Sequence, residues 1–174
     1  MDCYSDCEEF AQYEVDEPYP EVSDIKRNTK YAAIISGALA GKGSESTAIA
    51  QYSTHRLYLR DYPEAYRAYK YIALVEMRHW RFLGQLVLKL GLSPKLASYE
   101  TNAFWSGGYP EYEQYLEPII KSDIRGEKGA IAHYQRMIGQ IEVPQIQALF
   151  RRIIKDEELH VKILTGLLQD SGGL

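Results

Sequence analysis

The sequence lacks any apolar run long enough to cross a membrane. A transmembrane helix needs about 18 or more consecutive apolar residues, and no stretch of this 174-residue chain approaches that length. Residues 1–6 also lack the basic and apolar regions of a signal peptide. These absences predict a soluble, cytoplasmic protein that has no membrane partner.

An excess of positive charge is also missing. The formal net charge is -4, with 20 basic and 24 acidic residues, so the chain has no basic surface of the kind that binds nucleic acid. Nucleic acid is therefore excluded as an expected partner. Hydrophobic residues make up 45% of the chain, which is enough for one domain to bury a core without disulfide or metal support.

Cysteine is scarce, because only Cys3 and Cys7 are present. Two thiols cannot form a four-thiolate iron or zinc site, so we expect no attached electron-transfer domain of that kind. Both cysteines fall in an acidic leader, residues 1–27, which we predict to be largely extended and mostly unpacked. The thiols either stay reduced in this tail or pair between subunits.

What the chain does contain is an internal duplication. The first copy begins with Glu45 in Glu-Ser-Thr-Ala-Ile-Ala-Gln-Tyr, and the second begins with Glu127 in Glu-Lys-Gly-Ala-Ile-Ala-His-Tyr. Each copy is followed by a Glu-x-x-His, at residues 76–79 and 157–160. The two glutamates are 31 residues apart in the first copy and 30 in the second, which is about the length of one helix and its turn.

Apolar periodicity and cap residues predict a short helix followed by four longer ones. The predicted helices run approximately over residues 28–39, 44–59, 63–90, 118–141 and 144–169. Residues 91–115 show no helical pattern. Because the other connections between the long helices are short, the second and third helices form one antiparallel hairpin, and the last two form another.

The long middle connection determines how the hairpins are arranged. A helix of the predicted third-helix length extends about 42 Å, whereas 25 extended residues reach about 80 Å. The connection can therefore return along the whole bundle. We predict an all-α fold, a four-helix bundle over residues 28–174 with a short extra N-terminal helix.

The duplicated residues then meet in the interior. Side chains three positions apart on a helix share a face, and each Glu-x-x-His lies on an otherwise apolar stripe. Packing the two hairpins together gathers four carboxylates and two imidazoles at one depth, and two divalent cations would neutralise the four charges. Oxygen and nitrogen ligands suit iron or manganese, and zinc could bind in vitro. The predicted ligands are Glu45, Glu76, His79, Glu127, Glu157 and His160.

A single Glu-x-x-His in a helix is more often a surface pair than a ligand site. Here the motif occurs twice, each time after a glutamate at matching distance and in matching context. This agreement between independent features favours the di-metal interpretation.

From about Asn28 to Leu168 the chain resembles the ferritin-like superfamily of di-iron carboxylate proteins. Residues 45–55 are similar to the first ligand helix of bacterioferritin, and Ser122-Asp123 and Asp156-Glu157-Glu158 fit the same relative. The resemblance implies the four-helix fold and its carboxylate-bridged metal pair.

No subfamily fits cleanly. Rubrerythrins have another glutamate where this chain has Ala130, and they usually carry an iron-thiolate domain. Manganese catalases share the close ligand spacing, but their crossover is typically much longer. Bacterioferritin holds haem through a methionine at the position of Met77, and we expect Met77 to fill the core instead of binding haem.

Residues around the ligands can also be assigned. The resemblance to bacterioferritin implies that Asp156 holds the second ring nitrogen of His79. Val75 occupies the matching place in the other repeat, so His160 must find a different partner. Tyr52 and Tyr134 lie two turns after ligand glutamates, where they bond carboxylates, supply an electron to the metals or are purely structural.

Three functions follow from the pattern and the resemblance. The first is a di-metal oxidoreductase, with iron as the expected metal, that acts on peroxide or O2 and is re-reduced by an external electron donor. The second is a ferroxidase of the bacterioferritin type that stores iron. The third is a protein like a manganese catalase, or a spore-coat-like protein in which the metal only holds the bundle together. We expect a homo-oligomer, a dimer or larger.

Overall fold

The computed structural model describes residues 9–171, so Cys3 and Cys7 and the prediction about their thiols lie outside the described residues. The regular elements are few and almost entirely helical. They are a 3-10 turn (Ala11–Tyr13), α1 (Thr29–Ala40), α2 (Glu45–Tyr58), α3 (Pro63–Lys89), β1 (Ala97–Ser98), β2 (Ala103–Phe104), α4 (Leu116–Gln140) and α5 (Pro144–Ser171).

The helix boundaries follow the cap residues in the sequence. The side chain of Asn28 accepts the backbone N–H of Tyr31 at 3.1 Å, which caps α1. Ser44 caps α2 through the N–H of Thr47, and α3 begins at Pro63. All five predicted helices are present, with boundaries within about two residues, the usual uncertainty of helix ends.

Contacts between the two repeats fix how the helices run. Glu45 at the start of α2 bonds Tyr134, seven residues after Glu127 on α4, and Tyr52 on α2 bonds Glu127. Helices α2 and α4 are therefore antiparallel, and α3 and α4 run in the same direction. The connection between α3 and α4 must return along the bundle, and its short β1–β2 hairpin packs on α1. The predicted all-α four-helix bundle with a long crossover is confirmed.

Two apolar clusters lie on either side of a polar layer. One contains Ile35, Leu86 and Phe150, with other residues from α1, the end of α3, the second half of α4 and the start of α5. The other contains Ile72 and Leu164, with residues from α2, the start of α3, the start of α4 and the end of α5. Along each of α3, α4 and α5 the predicted ligands fall between residues of the two clusters, so they lie at one level of the bundle.

The leader lies against the bundle. Residues 14–28 form no helix or strand, but Val22 is buried and its carbonyl accepts a hydrogen bond from Lys89. Glu14 pairs with Arg78, and Glu17 pairs with Lys155 at 2.6 Å. The prediction of a mostly unpacked leader was therefore wrong for its described part, because the sequence pattern gives no sign of these contacts.

Met77 differs from its prediction as well. Its side chain is 51% exposed on the outer face of α3, so it does not fill the core. The apolar stripe of α3 that carries Glu76 and His79, with Ile72 and Leu83 on either side of them, is buried as expected, and Met77 lies off that stripe. None of the helices in residues 9–171 is both long enough and apolar enough to span a lipid bilayer.

Gly91 offers a test of the end of α3. Its φ is +102°, and an added Cβ would lie 2.7 Å from Cγ of Arg27. We expect Gly91→Ala to lower the free energy of unfolding by about 1–3 kcal/mol, because a side chain is strained in this conformation. Chemical denaturation would measure the change.

Gly139 near the end of α4 is the matched control, because it has helical geometry and no atom within 4 Å of an added Cβ. Gly139→Ala should leave stability unchanged or raise it by up to about 1 kcal/mol. Equal effects of the two substitutions would contradict the structural account of Gly91.

Candidate metal centre

All six predicted ligands lie in the polar layer between the apolar clusters. Their side chains are at most 4% exposed. Ligand atoms of the six residues fall into two groups, each with all its atoms within 4.8 Å of one another. The first group is Glu45, Glu76, His79 and Glu157, and the second is Glu76, Glu127, Glu157 and His160.

Each helix of the bundle contributes to these groups. Glu45 is the first residue of α2, directly after the Ser44 cap, and Glu127 lies within α4. Helices α3 and α5 each provide a Glu-x-x-His, whose two side chains share a helix face. The repeat in the sequence thus becomes an approximate two-fold symmetry of the site.

Glu76 and Glu157 belong to both groups, and their oxygens divide between the two histidines. In Glu76, Oε2 lies 3.5 Å from Nδ1 of His79, and Oε1 lies 3.0 Å from Nδ1 of His160. In Glu157, Oε1 lies 3.3 Å from Nδ1 of His79, and Oε2 lies 3.2 Å from Nδ1 of His160. This is the arrangement expected of two carboxylates that bridge a pair of metal ions, with one histidine at each ion.

The inward atoms are suited to metal ions. Oε1 of Glu76, Nδ1 of His79 and Oε1 of Glu157 are buried and make no hydrogen bond of good geometry to any described residue. Burial and the neighbouring charges of Glu76 and Glu157 raise the pKa of Glu45 and of Glu127 well above the ordinary value. Buried carboxylates without counter-ions are costly, and two divalent cations would remove that cost.

The outer nitrogen of His79 meets a carboxylate. Its Nε2 lies 3.1 Å from Oδ2 of Asp156, so the contact expected from the sequence is present. Asp156 is also paired with Arg152 at 2.6 Å. Burial alone would raise the pKa of Asp156, but the hydrogen bonds from His79 and Arg152 hold it well below its usual range. A charged Asp156 fixes the proton of His79 on Nε2 and leaves Nδ1 free to bind metal.

The outer nitrogen of His160 meets the leader. Its Nε2 lies 3.0 Å from the backbone carbonyl oxygen of Tyr13. The sequence indicated that His160 needs a partner outside the repeat, but a backbone carbonyl has no sequence signature. Only the fold of the leader supplies it.

The two symmetric tyrosines bond carboxylates across the repeat. Tyr52 donates its hydroxyl hydrogen to Glu127, and Tyr134 donates to Glu45. Both rings are buried, and burial raises the pKa of each hydroxyl well above its ordinary value. The tyrosines therefore remain protonated. They orient Glu45 and Glu127, the two glutamates that each belong to a single ligand group.

Sequence reasoning assigned no role to a second buried polar cluster around Asp123. Oδ2 of this carboxylate accepts from Tyr69 at 2.8 Å and lies 2.9 Å from Nδ1 of His55. Oδ1 accepts from the amide of Gln51 at 2.6 Å. Asp123 lies one turn before Glu127 on the same helix and is among the residues that resemble bacterioferritin, but neither observation specified this cluster.

One side of the centre is open to a cavity of about 400 Å³ between α2 and α4. Glu45, Glu76 and Glu127 line its inner end. Its walls include Ala130, the position at which the sequence departs from the glutamate of rubrerythrins, and Gly129. Small residues at these positions leave room for the cavity beside the carboxylates.

The sequence pattern of a known family matches most of this chain. The family described as Rubrerythrin matches residues 40–168, a range that includes all six clustered side chains. The chain belongs to the rubrerythrin family. None of the curated proteins matches it in sequence.

Solved structures share the fold of this rubrerythrin-family chain. KatB, a manganese catalase from Anabaena, has a TM-score of 0.80 at 17% identity, covering 91% of this chain and 80% of the other. Desulfovibrio desulfuricans bacterioferritin has a TM-score of 0.68 at 24% identity, covering 83% and 81%. A dodecameric thioferritin from Bacteroides fragilis has a TM-score of 0.67 at 18% identity, covering 84% and 89%. The fold is therefore ferritin-like, and the family and its neighbours indicate a di-metal site of iron or manganese.

Removal of single ligands tests the bridging arrangement. Because Glu76 belongs to both groups, Glu76→Ala should lose both metal ions. His160→Ala should lose mainly the ion of its own group. Elemental analysis of iron-loaded protein would measure the metal content, and thermal unfolding would show the accompanying loss of stability.

Exposed Glu158, next to Glu157 in sequence, provides the control Glu158→Ala, which should keep the wild-type metal content. Wild-type content in both ligand variants would contradict the assignment.

The pH dependence of the metal-free protein is a second test. Burial alone would lower the pKa of His79 and of His160, but carboxylates including Glu157 and Glu76 raise both well above the ordinary value. The resulting stabilisation is complete below about pH 6.5, the unfolded pKa of histidine, and is lost as pH rises through the folded pKa.

The raised pKa values of Glu45 and Glu127 also make the metal-free protein less stable as pH rises, because the folded state then loses protons that stabilise it. The melting temperature of chelator-treated protein should therefore fall between about pH 6 and pH 9. The melting temperature of the metal-loaded protein should fall less over this range, because its histidines are already neutral when they bind metal. A metal-free melting temperature that rises over this range would contradict the account.

Proposed function

We propose that this protein is a di-iron oxidoreductase that reduces hydrogen peroxide or O2 with electrons from an external donor. The observation that carries the proposal is the division of Glu76 and Glu157 between two inward-facing histidines, next to a cavity that reaches Glu76. A metal pair that only held the bundle together would need no such opening.

The chain's residues divide between holding the metals and admitting the substrate. Glu45 and His79 would hold one ion and Glu127 and His160 the other, with the two shared glutamates between them. When bound, a pair of iron ions supplies the two electrons that cleave an O–O bond. A small oxidant in the cavity would meet carboxylates first, because Glu45, Glu76 and Glu127 line the cavity and neither histidine does.

The two tyrosines hold protons at the cavity. Their hydroxyl groups lie on Glu127 and Glu45, and both rings line the cavity wall. Each hydroxyl gives its single hydrogen to its glutamate, so the two tyrosines hold the cavity-facing glutamates in position for an oxygen species that enters. We favour Tyr52 over Tyr134 as a source of electrons. The ring centroid of Tyr52 lies 5.2 Å from that of Tyr69, so Tyr69 could replace an electron that Tyr52 loses. The hydroxyl proton of Tyr69 would then move to Asp123, to which it is hydrogen-bonded.

A manganese catalase is the second candidate. The likeness to KatB, described as a manganese catalase, covers 91% of this chain, and the same ligand set accepts manganese. A catalase alternates between peroxide reduction and peroxide oxidation, so it needs no external donor. Iron oxidation for storage is a further candidate, supported by the likeness to bacterioferritin. The dodecameric state of the thioferritin supports a homo-oligomer here.

The experiment combines metal analysis with peroxide addition. Protein purified from cells supplied with both iron and manganese should contain about two iron ions per chain, the number that the ligand set accommodates. One equivalent of hydrogen peroxide should oxidise the reduced protein rapidly, with little release of oxygen gas. Absorbance in a stopped-flow instrument and an oxygen electrode would measure the two quantities.

The other outcomes separate the candidates. Manganese with vigorous oxygen release would favour the catalase. Slow reaction with peroxide, together with iron mineral formation in a large closed assembly, would favour storage. A chain that binds no metal after reconstitution would overturn all three candidates, and variants of the exposed Glu158 would serve as activity controls.

A further inference from the structure

The described leader contains a segment, residues 13–19, that crosses the histidine side of the metal centre. We refer to this segment as the strap. It lies against α3 and α5, while the cavity opens between α2 and α4. The strap and the cavity therefore approach different parts of the ligand cluster.

The strap contacts one predicted ligand directly. The carbonyl oxygen of Tyr13 lies 3.0 Å from Nε2 of His160. A carbonyl can only accept, so it requires the hydrogen of the neutral ring on Nε2. The lone pair then lies on Nδ1, the atom that faces Glu76 and Glu157. The strap thus selects the tautomer of His160 that can bind metal.

The strap reaches the other histidine through Asp156. The hydroxyl of Tyr19 donates to Oδ2 of Asp156 at 2.6 Å, and the backbone N–H of Val15 donates to Oδ1 at 2.8 Å. Both oxygens of the carboxylate are therefore held by the strap while Oδ2 also receives His79. Arg152, which pairs with Asp156, donates to the carbonyl oxygens of Val15 and Glu17.

The four-helix bundle alone does not supply these contacts. Asp156 immediately precedes Glu157, and the matching position before Glu76 is Val75. Valine has no polar atom to offer His160, so the repeat provides a carboxylate partner for one histidine only. The strap carbonyl replaces the missing partner, and a neutral carbonyl makes a weaker acceptor than a carboxylate. The two metal positions are consequently unequal.

We propose that the strap is a positioning element of the metal centre, which orients both histidine ligands and whose docking is coupled to metal binding. By linkage, metal that prefers the oriented histidines stabilises the docked strap, and the docked strap raises metal affinity by the same factor. The proposal rests on the di-metal centre and is independent of whether the substrate is peroxide.

The test compares two contacts of the same segment. Tyr19→Phe removes the hydrogen bond to Asp156 but keeps the ring, which packs on Phe82 at 4.7 Å and under Arg152 at 4.2 Å. Glu17→Ala removes the exposed pair with Lys155, which holds the strap without touching a histidine or Asp156 through its side chain. Zinc is a suitable probe, because it binds without redox chemistry.

The first measurement is zinc affinity by competition with a chromophoric chelator. Tyr19→Phe should weaken at least one zinc site about tenfold or more, the usual effect of losing a group that orients a metal ligand. Glu17→Ala should stay within about twofold of wild type, because exposed ion pairs contribute little. If the strap were merely structural, the two variants would change affinity alike.

The second measurement is hydrogen exchange at the backbone amide of Val15, which donates to Asp156. Zinc should slow this exchange in the wild-type protein, and less so in Tyr19→Phe. Wild-type zinc affinity in Tyr19→Phe, together with exchange at Val15 that zinc does not alter, would overturn the strap proposal. Absence of zinc binding to the wild-type protein would overturn the metal centre itself. Normal zinc coupling without peroxide reactivity would overturn only the proposed function.

Discussion

The structure depends on four carboxylates buried at one level of a helical bundle. Charges of one sign at such short range are tolerated only when cations, protons or hydrogen bonds balance them. Here the histidines approach the carboxylates from within the layer, and Tyr52 and Tyr134 donate to them from the cavity wall. Apolar clusters on both sides exclude water. The remaining balance is what two divalent cations would provide.

The internal duplication gives the ligand set its symmetry, and differences between the two repeats make the surroundings of the two metal positions unequal. Tyr69 and Phe150 occupy equivalent positions and contact the symmetric tyrosines, with ring centroids 5.2 and 5.5 Å apart, edge-on for Tyr69 and tilted for Phe150. Only Tyr69 has a hydroxyl, and it donates to Asp123, whose carboxylate also lies beside His55. One half therefore has a polar network beside the centre, while the other half is apolar. A symmetric ligand set is thus placed in an unsymmetric environment.

The leader and the cavity lie on different sides of the ligand cluster. The strap covers the outer edges of both histidines, while small side chains such as Ala130 leave the carboxylates open. An extra glutamate at that position, as in rubrerythrins, would occupy part of this opening. The protein thus belongs to the rubrerythrin family, but its access to the centre differs from that expected of the resemblance. A small molecule that enters the cavity would therefore meet the carboxylate side of the cluster and not the histidine side.

Local rules were enough to predict the helices and the ligand set from the sequence. Caps such as Asn28 and Ser44, the breaker at Gly91 and the repeated Glu-x-x-His act over a few residues, so their spacing specifies both the helix ends and the shared face. The resemblance to bacterioferritin implied that Asp156 would contact His79, whereas the absence of a carboxylate at Val75 showed only that His160 needed another partner.

Tertiary structure decided the features that depend on residues far apart in the chain. The strap bonds His160 through a backbone carbonyl, which every residue possesses, so no pattern in the sequence identifies it. The exposure of Met77 and the Asp123 cluster likewise depend on which helices pack together. The sequence by itself therefore determined which groups could bind metal. Only the packed chain decided how those groups are oriented and from which side they can be reached, because long-range hydrogen bonds and cavities arise from packing.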